Sequence, residues 1–141
     1  MGRYWTGFLI AGVLAVIAMF FFTGESATTA GARFMAALSD RKVDTLTDMS
    51  YVEGASREEI EKAWKKCTDA NMYYRFMYDL KGADSPKNDE ALVRVALLKN
   101  VAASSYEEVY TLKMFKKSGG WKVDVATLNR DIYPWLPRWN Q

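Results

Sequence analysis

The side chains able to move a proton are few and scattered. Asp40, Asp44, Asp79 and Asp124 are the carboxylates nearest the apolar segments, and none has a histidine to work with, because the 141 residues contain none. The commonest general base, metal ligand and axial haem ligand is therefore missing. Asp40 and Asp44 fall at helix ends, where capping accounts for them; Asp79 alternates away from inward aromatics, and Asp124 away from Trp121, Val123 and Val125. One cysteine, Cys67, excludes an internal disulfide and a thiolate metal cluster; it lies in an apolar helical stripe and reads as a small buried hydrophobe. No catalytic residue, cofactor site or metal site is expected. Lys113, Lys117 and Lys122 form a basic strip that suits lipid head groups, though a solvated sheet face explains it equally well.

The aromatic residues carry more information. Tyr74, Phe76 and Tyr78 recur at strand spacing, and with Trp64 they are candidates either for lining a ligand cavity or for plain core. A second group, Tyr133, Trp135, Arg138 and Trp139, sits in a tail interrupted by Pro134 and Pro137, which stiffen it and keep it out of helix. Tryptophan and arginine dominate interface hot spots, so these four are candidates for docking on a partner. The competing reading folds the tail back over its own sheet.

The element that places the chain is Gly7 to Thr23, seventeen residues without a charge or amide side chain. With Tyr4 to Thr6 the run reaches the ~20 residues a helix needs to cross a bilayer. It is expected to be a retained transmembrane helix; the rival is a cleaved secretory signal, for which the run is long. Arg3 precedes the span, and Glu25 follows it with no basic residue before Arg33, so the amino terminus is expected in the cytoplasm and the remainder outside it. Gly7, Ala11, Ala15 and Ala18 put small residues on one helical face, the arrangement that lets helices pack closely in lipid. All acidic residues, and every basic one except Arg3, lie beyond this segment. The outer part is nearly neutral, and the pI of 8.6 is no argument for nucleic acid.

Beyond the span, Ala30, Phe34, Ala37 and Leu38 predict an amphipathic helix over about 26–39, capped by Ser26 or Thr28. Val43, Leu46 and Met49 predict one or two further turns. Ser56-Arg57-Glu58-Glu59 matches a capping box, and Ile60, Ala63, Trp64 and Cys67 follow as one stripe. From Met72 the period changes to two, predicting a strand to Lys81, then a turn over Gly82–Asn88 and a second strand over Glu90–Leu98. A third strand is expected over Tyr106–Lys117. Ser118-Gly119-Gly120 then turns the chain into a fourth through Trp121, Val123 and Val125.

Phe34-Met35-Ala36-Ala37-Leu38-Ser39-Asp40 running into Val43-Asp44, then a helix, then strands ending in Gly119-Gly120-Trp121-Lys122-Val123-Asp124, resembles the cone-shaped superfamily of nuclear transport factor two, ketosteroid isomerase and SnoaL. The resemblance covers about residues 28–127. It implies a curved sheet wrapped on helices with a pocket at the wide end, and some members carry one amino-terminal membrane helix. The expected fold is α+β: a single N-terminal transmembrane helix, then a cone of two to three helices on a curved four-stranded antiparallel sheet. The expected divisions are an anchor over 1–25, an outer domain over 26–127 and a Pro/Trp-rich tail over 128–141.

With no chemistry visible, the expected role is a non-catalytic, single-pass accessory subunit of a multisubunit bacterial inner-membrane complex, bioenergetic or secretory. Its partners would be other integral membrane subunits and the lipid bilayer, with the outer domain in the periplasm. The alternative is a lone anchored domain that binds or converts a small apolar ligand in its cone.

Overall fold

The structure is a computed structural model and describes residues 24–139. The expected span, with Gly7, Ala11, Ala15 and Ala18, lies outside them; among the described residues no helix is long and apolar enough to cross a membrane.

Helix α1, Ala27–Asp40, begins where the Ser26 hydroxyl accepts from the Thr29 amide at 3.1 Å. It ends at Arg41, which takes the left-handed conformation with φ 57°. Helix α2, Val43–Met49, leads directly into β1, Ser50–Tyr51. Helix α3, Arg57–Ala70, starts with both halves of the capping box: Glu59 N–H donates to Ser56 Oγ at 3.2 Å, and Ser56 N–H to Glu59 Oε2 at 2.8 Å. The remaining strands are β2 Tyr78–Lys87, β3 Glu90–Val101, β4 Ser104–Lys117 and β5 Gly120–Asp124, followed by one 3₁₀ turn at Val125–Thr127.

The sheet has five strands in the order β1-β5-β4-β3-β2, not the expected four. It is mixed rather than antiparallel, since β1 runs parallel to β5 with Ser50 opposite Val123 and Tyr51 opposite Asp124. A two-residue strand is too short to show any periodicity, which is why the sequence pattern misses it. The start of β2 also differs. Tyr73 to Met77 keep the alternation of exposed and half-buried side chains, but the ladder with β3 begins only at Tyr78 opposite Leu97. The expected turn at Gly82–Asn88 is instead mostly strand, and the chain reverses at Asn88-Asp89. Gly82, at φ 110°, sits at one break in register, and Pro86 lies within the second, between Asp84 and Lys87. Both are tolerated because β2 is an edge strand, where a missing donor or a bulge costs little.

The core lies between the helices and one sheet face. Phe34, Met35 and Leu38 of α1, Leu46 and Met49 of α2, and Ile60, Trp64 and Cys67 of α3 meet Val93, Val95, Leu97, Leu112, Met114 and Val123 in one cluster. Helix α1 approaches the sheet so closely that a Cβ on Gly31 would lie 2.9 Å from Val93 Cγ1. The tail belongs to the same cluster, since Leu128, Ile132, Tyr133 and Leu136 are all buried in it.

Candidate functional site

Of the residues expected to line a pocket or to form plain core, Trp64 belongs to the buried cluster, and Tyr74, Phe76 and Tyr78 pack partly against it. Trp64 is fully buried, its indole N–H donating to Ser50 Oγ at 2.7 Å and its ring edge-on to Phe34 at 6.0 Å. It ties α3 to the short strand β1. Tyr74, Phe76 and Tyr78 form a half-buried ladder with successive centroids 5.9 Å apart. Tyr133 closes the ladder, its ring edge-on to Tyr74 at 5.4 Å and to Phe76 at 5.8 Å. Four aromatic rings in offset and edge contact form a packed lid. Burial pushes the Tyr133 phenol up to about 12 and the Cys67 thiol up to about 11. Both groups are therefore held neutral and unreactive at ordinary pH.

The carboxylates are elsewhere. Asp79 is exposed and paired with Lys81 at 2.8 Å, which holds its carboxyl below the usual range. Asp40 is exposed beside Lys42 at 3.9 Å, and Asp44 stands in the first turn of α2. Asp124 lines a cleft on the opposite side of the sheet. Asp40 and Asp44 line one cleft of about 400 Å³ with Glu61, Lys65 and Asp69, and Asp79 and Asp124 are not part of it. Among the described residues no group of three or more Cys, Asp or Glu side chains is placed to hold a metal ion.

The tail makes the most specific feature. Pro134 and Trp135 form the corner of a tight turn, and Trp135 takes φ 58°, a left-handed value ordinarily left to glycine. The turn is braced from both sides. Asn71, buried at the end of α3, donates Nδ2 to the Pro134 carbonyl at 2.7 Å and to the Cys67 carbonyl at 2.8 Å. Arg130 donates Nη2 to the Leu136 carbonyl at 2.9 Å. Between these anchors the Trp135 side chain is 75% exposed. Of the four expected docking residues, Tyr133 is thus taken up by the chain's own core and Trp139 packs partly against it, while Trp135 and Arg138 stay outward. The brace residues Asn71 and Arg130 left no mark in the sequence pattern, since each acts on a carbonyl of a distant or irregular segment.

A second concavity, of about 730 Å³, opens at the β1–β5 end, lined by Tyr51, Phe115, Lys117, Asp124 and Trp139 among others. Of the strip lysines Lys117 lines it, over the Tyr51 ring; Lys113 lies over the Phe115 ring, and Lys122 Nζ donates to the Asp48 carbonyl.

These features define the class: an α+β domain of three helices on a five-stranded mixed sheet, with a braced tail turn that holds Trp135 outward. No family model matches this chain, and no curated protein does. Among solved structures it is similar to a ketosteroid isomerase-like protein from Erwinia carotovora atroseptica, at 13% identity and a TM-score of 0.47, over 67% of this chain and 85% of that one. It is also similar to an NTF-2 like protein of unknown function from Shewanella oneidensis, at 16% identity and a TM-score of 0.46, over 67% and 88%. Likeness at this level carries no argument about what the chain does.

Proposed function

We propose that this protein is a non-catalytic accessory subunit of a multisubunit bacterial inner-membrane complex, anchored by its N-terminal apolar segment, and that it grips a neighbouring subunit through the Trp135 turn. The observation that supports this is a large exposed indole held at positive φ. A non-glycine residue in that conformation costs about 1–2 kcal/mol, and glycine would remove the cost. A chain that keeps tryptophan there, and braces the turn with the buried Asn71 and with Arg130, has the makings of an interface anchor. The ring contacts of Trp64, Tyr74, Phe76 and Tyr133 favour core packing over the alternative, an apolar ligand held in the cone.

The test is Trp135→Gly in the full-length tagged chain, purified from gently solubilised membranes. The variant is expected to melt at the same temperature or a few degrees higher, because strain is relieved, while losing the co-purifying subunits. Retention of the same partners by the variant, or migration of the wild-type chain as a small species with none, would refute the proposal.

A further inference from the structure

We infer that the neighbouring subunit is met away from the bilayer, by a water-exposed domain of that subunit, through a patch of Met72, Tyr73, Met77 and Trp135. This rests on the anchoring and the Trp135 grip proposed above. The level of the patch follows from where the chain enters the fold. The apolar run ends at Thr23, and Gly24, Glu25 and Ser26 separate it from α1, at most about 10 Å of chain. That linker is not slack, since Arg33 Nε and Nη2 donate to the two Glu25 carboxylate oxygens at 3.0 and 2.7 Å. The first turn of α1 is therefore kept beside the end of the apolar run.

Helix α1 carries the fold away from that point. Gly31 lies against Val93, and at the other end burial and then the nearby Asp40 charge raise the Tyr78 phenol. Tyr78 stands opposite Leu97, so α1 runs along β3 in the direction of the strand. Its 14 residues put Asp40 about 20 Å from the start. The ring ladder from Tyr78 to Tyr133, and the turn at Trp135, lie at this far end. Phe34, Met35 and Leu38 are all buried, so α1 keeps no large apolar side chain with which to lie flat in a bilayer surface.

Four large exposed apolar side chains gather at the far end, Tyr73 the most open at 87%. One residue ties two of their loops together. Asn71 Nδ2 donates to the Pro134 carbonyl, and the Asn71 carbonyl accepts from the Tyr74 N–H at 3.0 Å. Arg75 Nη1 closes the first loop on the Met72 and Tyr74 carbonyls at 3.2 and 3.0 Å. Tryptophan, tyrosine and methionine are types enriched in protein interfaces. The charges around them have both signs, Arg75 and Arg138 against Asp40 and Asp69, whereas an anionic leaflet calls for cations.

The level is tested on the full-length chain in phosphatidylglycerol-containing vesicles with a spin label on the lipid head group, using a fluorescent thiol label on Ser118→Cys or Tyr73→Cys. β4 runs against β3, so Ser118, just after it, lies at the end where α1 begins, and the native Cys67 is buried. Strong quenching is expected at position 118 and at most a tenth as much at position 73. Equal quenching at both would overturn the inference in favour of a lipid-facing patch, and a chain that stays out of the vesicles would refute the anchor on which it rests. The patch is tested by co-purification from membranes. Tyr73→Ser should melt with the wild type and lower recovery of the same subunits that Trp135→Gly releases at least tenfold; should it misfold, Met77→Ser is read in its place. Release by Trp135→Gly with full retention by the Tyr73 or Met77 variant would overturn the patch and leave the Trp135 grip standing, whereas retention by all of them would refute both.

Discussion

At Tyr133 the ring and the hydroxyl pull in opposite directions. The ring closes the aromatic ladder, but the hydroxyl is buried with no partner among the described residues. A buried hydroxyl without a partner costs about 1–3 kcal/mol. Tyr133→Phe is therefore expected to leave stability unchanged or raise it by up to about 1 kcal/mol, read from denaturant midpoints. The pH dependence carries a second mark. Tyr133 moves from an ordinary 10 to about 12, and Cys67 from 9 to about 11, both through burial first. Between those limits the unfolded chain gives up protons that the folded chain retains, so stability is intact below about pH 9 and falls as pH rises through the window toward 12. Tyr133→Phe should flatten the upper part of that fall. A melting curve against pH that is unchanged by the substitution would contradict the burial assigned to this phenol.

Among elements, the contact of α1 with β3 is the most sharply constrained. An alanine at position 31 would gain about 1 kcal/mol of helix propensity, yet its Cβ would come within 2.9 Å of Val93 Cγ1. Val93 is stiff at χ1 and fully buried, so it cannot swing aside. Gly31→Ala is expected to lose about 1–2 kcal/mol overall, and Val93→Ala in the same chain should recover part of that loss. Additive losses in the double variant would show that the two residues do not touch. Elements of this kind were largely legible in the sequence: the apolar spacing of α1, the Ser56 and Glu59 capping box, and the alternation from Ala91 to Leu97 all read directly. What did not read was set by distant partners. β1 exists only because Ser50 and Tyr51 meet Val123 and Asp124 more than seventy residues later, and β2 runs through Gly82 and Pro86 because it is an edge. The concavity at the β1–β5 end was hidden for the same reason, since Tyr51 and Phe115 come together only when β1 and β4 flank β5. Trp135 was named from its type alone, but the strain that makes it informative is a backbone angle, which composition does not carry.

Over the whole molecule, the tail decides whether the outer part is one cooperative unit or a domain with an appendage. Ile132, Tyr133 and Leu136 are at most 5% exposed and belong to the same buried cluster as the core residues of the three helices and the sheet. Burying residues of this size contributes about 1.5–3 kcal/mol each. Deleting residues 132–141 from the full-length chain should therefore remove about 5 kcal/mol or more, the lower end of a typical domain's total stability. The expected result is a broad, low-temperature melt or none, with Trp64 moving toward solvent-exposed fluorescence as the ladder opens. Partner loss in that truncation would say nothing of docking, because the fold is lost with it, whereas Trp135→Gly separates the two by removing the anchor and keeping the lid. A truncated chain that melts with the wild type would mean that α1, α2, α3 and the sheet hold the cone without its closure, and the tail would then be an independent arm.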